Sequence, residues 1–277
     1  MVHKLQLVVI VGILCILGTW TSNKVAARML MREDLEPTGI VTWGVPTNKK
    51  IISFTFDDGP NDIYTPQILE VLEQYGAKAT FFMIGFRIQQ APQLVKTVLD
   101  KGHEIGNHTM HHVYAQHTTP KNVKNDILEG QKYIEKWSKG PILFRPPGGY
   151  INDTVFTTVK QQGGQIILWS WHQDPRDWSK PGVTTIVNHV IKNARNGDIV
   201  LLHDGGGNRR QTVEALKIIL PTLQEKGFQF VKVSDLLKYK QNKYHRCTTS
   251  NTHNGCTKDP SAKFKKAFIG RYIRNGI

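Results

Sequence analysis

The sequence is poor in cysteine and in acidic residues. Only three of its 277 residues are cysteine, at positions 15, 247 and 256, so residues 16–246 have no thiol for a disulfide or a cysteine-bound zinc. Aspartate and glutamate number 22 against 36 lysines and arginines, which gives a formal net charge of +14. That excess favours polyanionic partners such as nucleic acid, anionic lipid or an acidic cell-wall polymer.

Long apolar runs are absent except at the amino terminus. Residues 5–20 are nearly all apolar and follow a short start that carries Lys4. This pattern predicts a secretory signal or a membrane anchor over residues 1–27, with a buried core helix as the alternative. We therefore expect an exported protein, either secreted to the cell wall or anchored to the membrane, and export argues against nucleic acid as a partner.

The centre of the chain alternates between strand and helix patterns. Residues 28–49 show little periodicity and predict a linker, whereas the pattern from residue 50 to residue 237 is strand, helix, strand, repeated six or seven times. Such alternation predicts an α/β domain with a mostly parallel sheet and crossover helices. The number of units predicts a closed or nearly closed (β/α) barrel, and no internal sequence repeat is visible.

Residues 238–277 form a basic tail with ten lysines and arginines and a single acid, Asp259. We expect this tail to contact an anionic cell wall or membrane surface. Outside the cell, Cys247 and Cys256 could form a disulfide. Zinc binding with the nearby histidines and unpaired thiols are the alternatives, and the spacing matches no strong zinc motif.

Charged residues recur at the points where the predicted strands end. In a barrel of this kind the carboxyl ends of the strands meet at one edge, where active sites form. The residues at these positions are Asp57 and Asp58, His108, Arg145, Asp174 and Asp177, and His203. This recurrence argues against a solvated turn as the explanation of the paired aspartates, although Asp-Gly and Gly-Pro do mark turns.

The histidines of the HTMHH stretch offer ligands for a cation. His108 and His112 are four residues apart, so a helical turn would place both imidazoles on one face, with His111 as an alternative at a spacing of three. Two histidines and one aspartate leave coordination positions open, which is the pattern of a catalytic zinc.

Five motifs, in this order, resemble those of the polysaccharide deacetylases, the NodB-homology group of carbohydrate esterases. They are TFDDGP (55–60), HTMHH (108–112), RPPGG (145–149), DPRDW (174–178) and LLH (201–203). The resemblance covers residues 50–237 and implies a distorted (β/α) barrel that removes N-acetyl, or sometimes O-acetyl, groups from glycans with the help of a metal. Val113 and Gly148 depart from the family, which usually has proline and often an aromatic residue at these positions.

The resemblance also implies roles for individual residues. The implied metal ligands are Asp58, His108 and His112, with zinc as the expected metal and cobalt or manganese as alternatives. The implied catalytic residues are the base Asp57, its salt-bridge partner Arg145, the acid His203, and Asp174 as the carboxylate that pairs with His203. The implied substrate-binding residues are Gly148, Gly149, Tyr150, Trp178 and Leu201, of which Trp178 and Leu201 would line the acetyl pocket. A backbone N–H near Gly148 or Gly149 would hold the developing oxyanion.

We therefore expect a monomeric, metal-dependent enzyme that deacetylates N-acetylglucosamine residues of a cell-wall glycan, with peptidoglycan as the favoured substrate. Chitin oligosaccharides, another glycan or an O-acetyl substrate are the alternatives within this reaction class. A non-catalytic glycan-binding module and a zinc peptidase are alternatives of other classes. The presence of both Asp57 and His203 argues against a non-catalytic module.

Overall fold

The computed structural model of the protein describes residues 28–240. The predictions for the apolar leader, for Cys247 and Cys256, and for the tail beyond Lys240 lie outside these residues. Among the helices of residues 28–240, none is both long and apolar enough to cross a membrane.

The described residues form eight strands and nine α-helices. The strands are β1 (Val41–Thr42), β2 (Ile51–Asp57), β3 (Ala79–Met83), β4 (Glu104–Asn107), β5 (Leu143–Phe144), β6 (Gln165–Ile167), β7 (Ile199–His203) and β8 (Gln229–Phe230). The helices are α1 (Arg32–Leu35), α2 (Tyr64–Gln74), α3 (Gly85–Gln90), α4 (Pro92–Asp100), α5 (Pro120–Glu135), α6 (Asp153–Gln161), α7 (Val183–Asn193), α8 (Arg210–Glu225) and α9 (Val233–Leu237). Short 3₁₀ helices cover Glu36–Thr38, Pro147–Gly149 and Asp177–Ser179.

The strands form one parallel sheet in the order β1-β6-β5-β4-β3-β2-β7, with β8 paired to the start of β2. The predicted α/β class and parallel, barrel-like sheet are confirmed as a curled half-barrel with helices. No strand pair joins β1 or β6 to β7 within residues 28–240. Loop hydrogen bonds span that seam instead, from the Val45 N–H to the Gly197 carbonyl at 2.9 Å and from the Ser170 N–H to the Ile199 carbonyl at 3.0 Å.

The core lies on both faces of β2 and its neighbours. All seven residues of β2 are buried, including the polar Ser53, Thr55 and Asp57, which alternate with apolar residues in its second half. The rings of Phe56 and Phe81, on adjacent strands, stack with centroids 5.0 Å apart. Helices α2 and α8 pack on the sheet through buried residues at helical spacing. These residues are Ile68, Leu69, Leu72, Leu216, Ile219 and Leu223.

The structure differs from the prediction that residues 28–49 are a linker. Strand β1 pairs with β6, with Val41 opposite Ile166, and Leu35 of α1 is buried in the same cluster as Val41. Elements of two and four residues are too short to produce a periodic pattern, so the sequence gives no sign of them. Before β1, the Leu30 N–H donates to the Ile151 carbonyl at 2.8 Å.

Candidate active site

The charged residues predicted at strand ends do converge at one edge of the sheet. Asp57 and His203 are the last residues of β2 and β7 and stand opposite each other in the parallel register. His108 and Arg145 directly follow β4 and β5. The convergence has a simple cause, because parallel strands bring all their carboxyl ends to one edge.

Arg145 holds Asp57 in place. The Arg145 Nη1 donates to Asp57 Oδ1 and to Thr55 Oγ1, both at 2.7 Å. Its other nitrogens donate to the Ile167 and Leu168 carbonyls at 2.9 and 3.0 Å. The side chain is completely buried, so its charge needs these partners, and Asp57 supplies the compensating negative charge.

Arg145 leaves the second carboxylate oxygen of Asp57 free to act. Asp57 Oδ2 lies 3.9 Å from His108 Nε2, on the side of the histidines. The carboxylate is therefore fixed at one oxygen and turned toward the predicted metal site with the other.

Asp58 faces the two histidines, as predicted. Its Oδ1 lies 3.5 Å from His108 Nε2 and 3.2 Å from His112 Nε2. One ligand atom from each of the three residues lies within 4.8 Å of the other two. A divalent cation fits this group, because the buried Oδ1 of Asp58 has no hydrogen-bond partner in the structure.

The tautomer of His108 also suits a metal. Its Nδ1 lies 2.7 Å from the Arg145 carbonyl oxygen, which can only accept, so Nδ1 carries the hydrogen. The Nε2 lone pair is then directed at Asp58, as in metal sites whose histidines are oriented by a backbone carbonyl. His108 is buried and His112 is partly exposed.

The two histidines do not lie on a helix, in contrast to the prediction. Residues 108–112 form a loop, in which Thr109 and His112 have left-handed backbone angles, φ 66° and 59°. Such angles are uncommon for residues other than glycine and indicate that the surroundings hold the loop. The two imidazoles come together because the loop curls. Their spacing of four residues equals that of a helical turn only by coincidence.

His203 pairs with Asp177, so the prediction of Asp174 as its partner is wrong. The His203 Nδ1 lies 2.7 Å from Asp177 Oδ1, and the His203 backbone N–H donates to Asp177 Oδ2 at 3.0 Å. The hydroxyl of Thr212 also donates to Oδ2, at 2.7 Å. Asp174 instead accepts the Arg176 N–H at 3.0 Å, which closes a local turn.

These contacts set the protonation of His203. Burial by itself favours the neutral ring, but the charge and hydrogen bond of Asp177, helped by Asp58 and Asp57, outweigh it and raise the pKa of His203 to about 9. Burial opposes ionisation of Asp177 as well, yet His203 and Thr212 lower its pKa. The pair is therefore an imidazolium and a carboxylate at neutral pH, with Nε2–H available to a substrate.

Gly148 and Gly149 shape the mouth of the site. Both have left-handed backbones, φ 64° and 73°, and a β-carbon on Gly149 would lie 2.9 Å from the ring of Trp169. The Gly149 N–H donates to the Pro146 carbonyl at 2.9 Å. Of the two amides predicted for the oxyanion, the Gly148 N–H is therefore the better candidate.

Tyr114 lines this mouth, and no motif or periodicity in the sequence singles it out. A β-carbon on Gly148 would lie 2.9 Å from the Tyr150 ring and 3.0 Å from the Tyr114 ring, so both tyrosines cover the place where a side chain would stand. The Tyr114 ring also packs edge-on against His112, with centroids 5.1 Å apart. Both tyrosines are more than a third exposed.

The predicted acetyl-pocket residues differ in exposure. Trp178, in the 3₁₀ helix that begins with Asp177, is 51% exposed, whereas Leu201 is buried in β7. Leu201 precedes His203 by two residues, so both side chains point to the same face of the sheet. Trp178 directly follows Asp177 in the chain, and Leu201 lies next to His203 on the same face of β7.

Comparison with known proteins agrees with this geometry. The polysaccharide deacetylase family model matches residues 44–167. The chain is 66% identical over 212 residues to the peptidoglycan-N-acetylglucosamine deacetylase of Bacillus cereus, a match that spans 76% of this chain and 100% of that protein. It is 38% identical to a chitooligosaccharide deacetylase of Sinorhizobium fredii, over 66% of this chain and 89% of that one.

Solved structures show the same fold. Peptidoglycan deacetylase PdaC from Bacillus subtilis has a TM-score of 0.63 and 38% identity, over 71% of this chain and 94% of that one. The shared motifs, the arrangement at the sheet edge and these matches lead to one conclusion: the chain belongs to the polysaccharide deacetylase family.

Proposed function

We propose that this chain hydrolyses the acetamido group of N-acetylglucosamine residues in peptidoglycan, and that the metal is zinc. The observation that carries the reaction is the division of labour between two adjacent aspartates. Asp58 faces two imidazoles, whereas Asp57 is held by Arg145 with one oxygen free. The substrate rests on the 66% identity to the Bacillus cereus peptidoglycan-N-acetylglucosamine deacetylase.

Asp58, His108 and His112 would hold the metal. One carboxylate and two neutral imidazoles suit zinc, with coordination positions left for water and substrate. When bound, a divalent cation polarises the amide carbonyl and lowers the pKa of a neighbouring water.

Asp57 would accept the proton of the attacking water. Its Oδ1 is occupied by Arg145, so Oδ2, near His108, is the oxygen that takes the proton. The hydrogen bond from Arg145 holds Oδ1 and so opposes rotation of the carboxylate into the metal site as an extra ligand.

His203 would protonate the amine that leaves. An amine is a poor leaving group as an anion, so the reaction needs a proton donor on the nitrogen side. The raised pKa of about 9 keeps His203 charged at neutral pH, and its Nδ1 contact with Asp177 directs Nε2–H toward the cleft. The Gly148 N–H would stabilise the negative oxygen, with Trp178 and Leu201 beside the acetyl methyl group.

Acetate release from purified peptidoglycan and from chitin oligosaccharides, measured side by side, tests the proposal. We expect release from peptidoglycan, its loss after treatment with a chelator, and its return on addition of zinc. Asp57→Asn should lower release by at least about 100-fold, while Asp62→Asn, the same change on an exposed residue nearby, should leave it intact. Peptide cleavage without acetate release would refute the deacetylase reaction.

Chitin oligosaccharides are the second candidate substrate. The 38% identity to the Sinorhizobium fredii chitooligosaccharide deacetylase favours them. A higher kcat/KM on the oligosaccharides than on peptidoglycan would favour chitin oligosaccharides as the substrate and refute peptidoglycan. The proposed deacetylation reaction would still hold.

We also propose that residues 1–27 direct export and that the basic tail, residues 238–277, contacts an anionic wall or membrane surface, with the enzyme monomeric. The apolar run of residues 5–20 and the ten basic residues after residue 237 support these proposals. Fractionation of cells expressing the full chain tests them, since recovery in the cytoplasm would refute export. Sedimentation of the purified protein would measure its oligomeric state.

A further inference from the structure

The loop that carries His112 is bound to the protein through most of its backbone N–H groups and through two of its carbonyls. We refer to residues 108–113 as the histidine loop. On its amide side, the Thr109 N–H donates to Asn107 Oδ1 at 2.8 Å and the Met110 N–H donates to the Asp126 carbonyl at 3.0 Å. The loop is therefore attached to β4 and to α5 before His112 is reached.

The carbonyl side of the histidine loop is bound to α3. The Gly85 N–H donates to the Thr109 carbonyl at 2.9 Å, and the Phe86 N–H donates to the Met110 carbonyl at 3.1 Å. Helix α5 approaches equally closely, because a β-carbon on Gly130 would lie 2.6 Å from the Thr109 carbonyl carbon and 2.9 Å from the Met110 nitrogen.

The Asp126 side chain completes these contacts on both sides of His112. Its carboxylate accepts the His111 N–H at 3.1 and 3.3 Å and the Val113 N–H at 3.3 Å. It also lies 2.7 Å from His111 Nδ1. Asp126 is only 6% exposed, and these hydrogen-bond donors compensate for the loss of water around its carboxylate.

We propose that Asp126 is a positioning residue that sets the affinity of the metal site. It binds the residues before and after His112 and thereby holds His112 at φ 59°, with its Nε2 3.2 Å from Asp58 Oδ1. Without that clamp, the left-handed backbone would relax and the third ligand would no longer be preorganised. The proposal rests on the proposed function only in that Asp58, His108 and His112 bind a metal.

In this proposal the Asp126 carboxylate acts through the main-chain N–H groups of His111 and Val113. A role through the His111 side chain has to be distinguished from it. Asp126 could act through the imidazole of His111, whose side chain is 57% exposed and stands next to His112. His111→Ala removes that imidazole and keeps both backbone contacts. Asp126→Ala removes all the contacts of the carboxylate, both those to the backbone and the one to His111. Asp126→Asn keeps the size of the side chain but replaces one acceptor oxygen by an NH₂ donor that faces a backbone N–H.

Zinc affinity of the purified, metal-free full chain is the measurement, made by competition with a chromophoric chelator. For Asp126→Ala we expect a loss of about 10- to 100-fold, the size found when partners of metal ligands are removed. Asp126→Asn should lose less, and His111→Ala should change affinity by less than about threefold. Glu129→Ala, an exposed acid on the same helix, is the matched control and should bind as the parent does. Excess zinc should restore most of the activity of Asp126→Ala, because a lower affinity is overcome by a higher zinc concentration.

Three results would overturn the proposal. They are parental zinc affinity in Asp126→Ala, a loss in His111→Ala as large as in Asp126→Ala, and no measurable zinc binding by the parent. The third would also refute the proposed metal chemistry, whereas the first two leave it intact. If Asp126→Ala does not fold, Asp126→Asn is the deciding variant, because it keeps the size of the side chain and changes only its hydrogen-bonding capacity. Weaker zinc binding by Asp126→Asn supports the proposal, and parental affinity refutes it.

Discussion

Replacing Asp177 by asparagine should move the basic limb of the pH profile to lower pH. If His203 is the acid of the reaction, as proposed, activity should fall as pH rises through the pKa of that residue. The pKa of His203 is about 9, compared with an ordinary value of 6.5. Burial lowers the pKa, and Asp177 contributes most to raising it, with smaller contributions from Asp58 and Asp57, so the pKa of the variant should fall toward the ordinary value.

The size of the effect follows from these values. The difference corresponds to about 3 kcal/mol of preference for the charged ring, since a tenfold change in ionisation is worth about 1.4 kcal/mol. At about pH 7.5 His203 would be mostly protonated in the parent and mostly neutral in a variant whose pKa had fallen to the ordinary value. We therefore expect activity at that pH to fall about tenfold from protonation alone, with a further loss from reorientation of the ring.

The assay is kcat/KM for acetate release between about pH 5.5 and pH 10, with zinc saturating throughout. A bound cation lowers the His203 pKa in parent and variant alike. The quantity to compare is therefore the difference in pH between the basic limb of the parent and that of the variant. Asp174→Asn is the control and should leave the basic limb where it is. A shift in Asp174→Asn with none in Asp177→Asn would refute the assignment of the pair.

Three further predictions concern other parts of the site. Asp57→Asn should lower kcat by about 10²- to 10⁴-fold, while bound zinc, measured by elemental analysis, stays at the parental level because Asp57 is not a ligand. Arg145→Met should lower the free energy of unfolding in urea by about 3–5 kcal/mol, because it leaves Asp57 and two carbonyls without their buried partner; a loss below about 1 kcal/mol would contradict this account. Tyr114→Ala should raise KM for glycan about fivefold with little change in kcat, because the substrate would lose one aromatic contact. An effect on kcat alone would argue against a substrate contact.

The sequence predicted the site well because the fold makes local positions meaningful. Asp57, His108, Arg145 and His203 end or directly follow strands, and parallel strands deliver such residues to one place. The apolar runs of β2 and β7 mark those ends clearly, so strand-end reasoning was sufficient for these four residues.

The errors concern residues in loops, where spacing does not define direction. Asp174 and Asp177 lie three residues apart in the same segment, and Arg176 between them has a left-handed backbone, φ 53°. That reversal turns Asp177 back onto His203 and leaves Asp174 in a local turn. Nothing in the sequence fixes such an angle at an arginine.

Contacts between distant segments were equally invisible in the sequence. Asp126 lies in the middle of a helix pattern, and its partners are 13 and 15 residues earlier in the chain. Tyr114 gains its position over Gly148 only when two loops meet. Both are consequences of tertiary packing, on which local periodicity carries no information.

The connection from β6 to α7 bears on how specificity can change in this protein. Its second half, residues 174–182, makes no backbone–backbone hydrogen bond to a strand and carries Asp177 and Trp178. An insertion or deletion there would alter the shape of the wall proposed to bind the acetyl group without shifting the pairing of any strand. Engineers who wish to admit bulkier acyl groups would therefore begin with this connection and keep the His203–Asp177 contact as the fixed point.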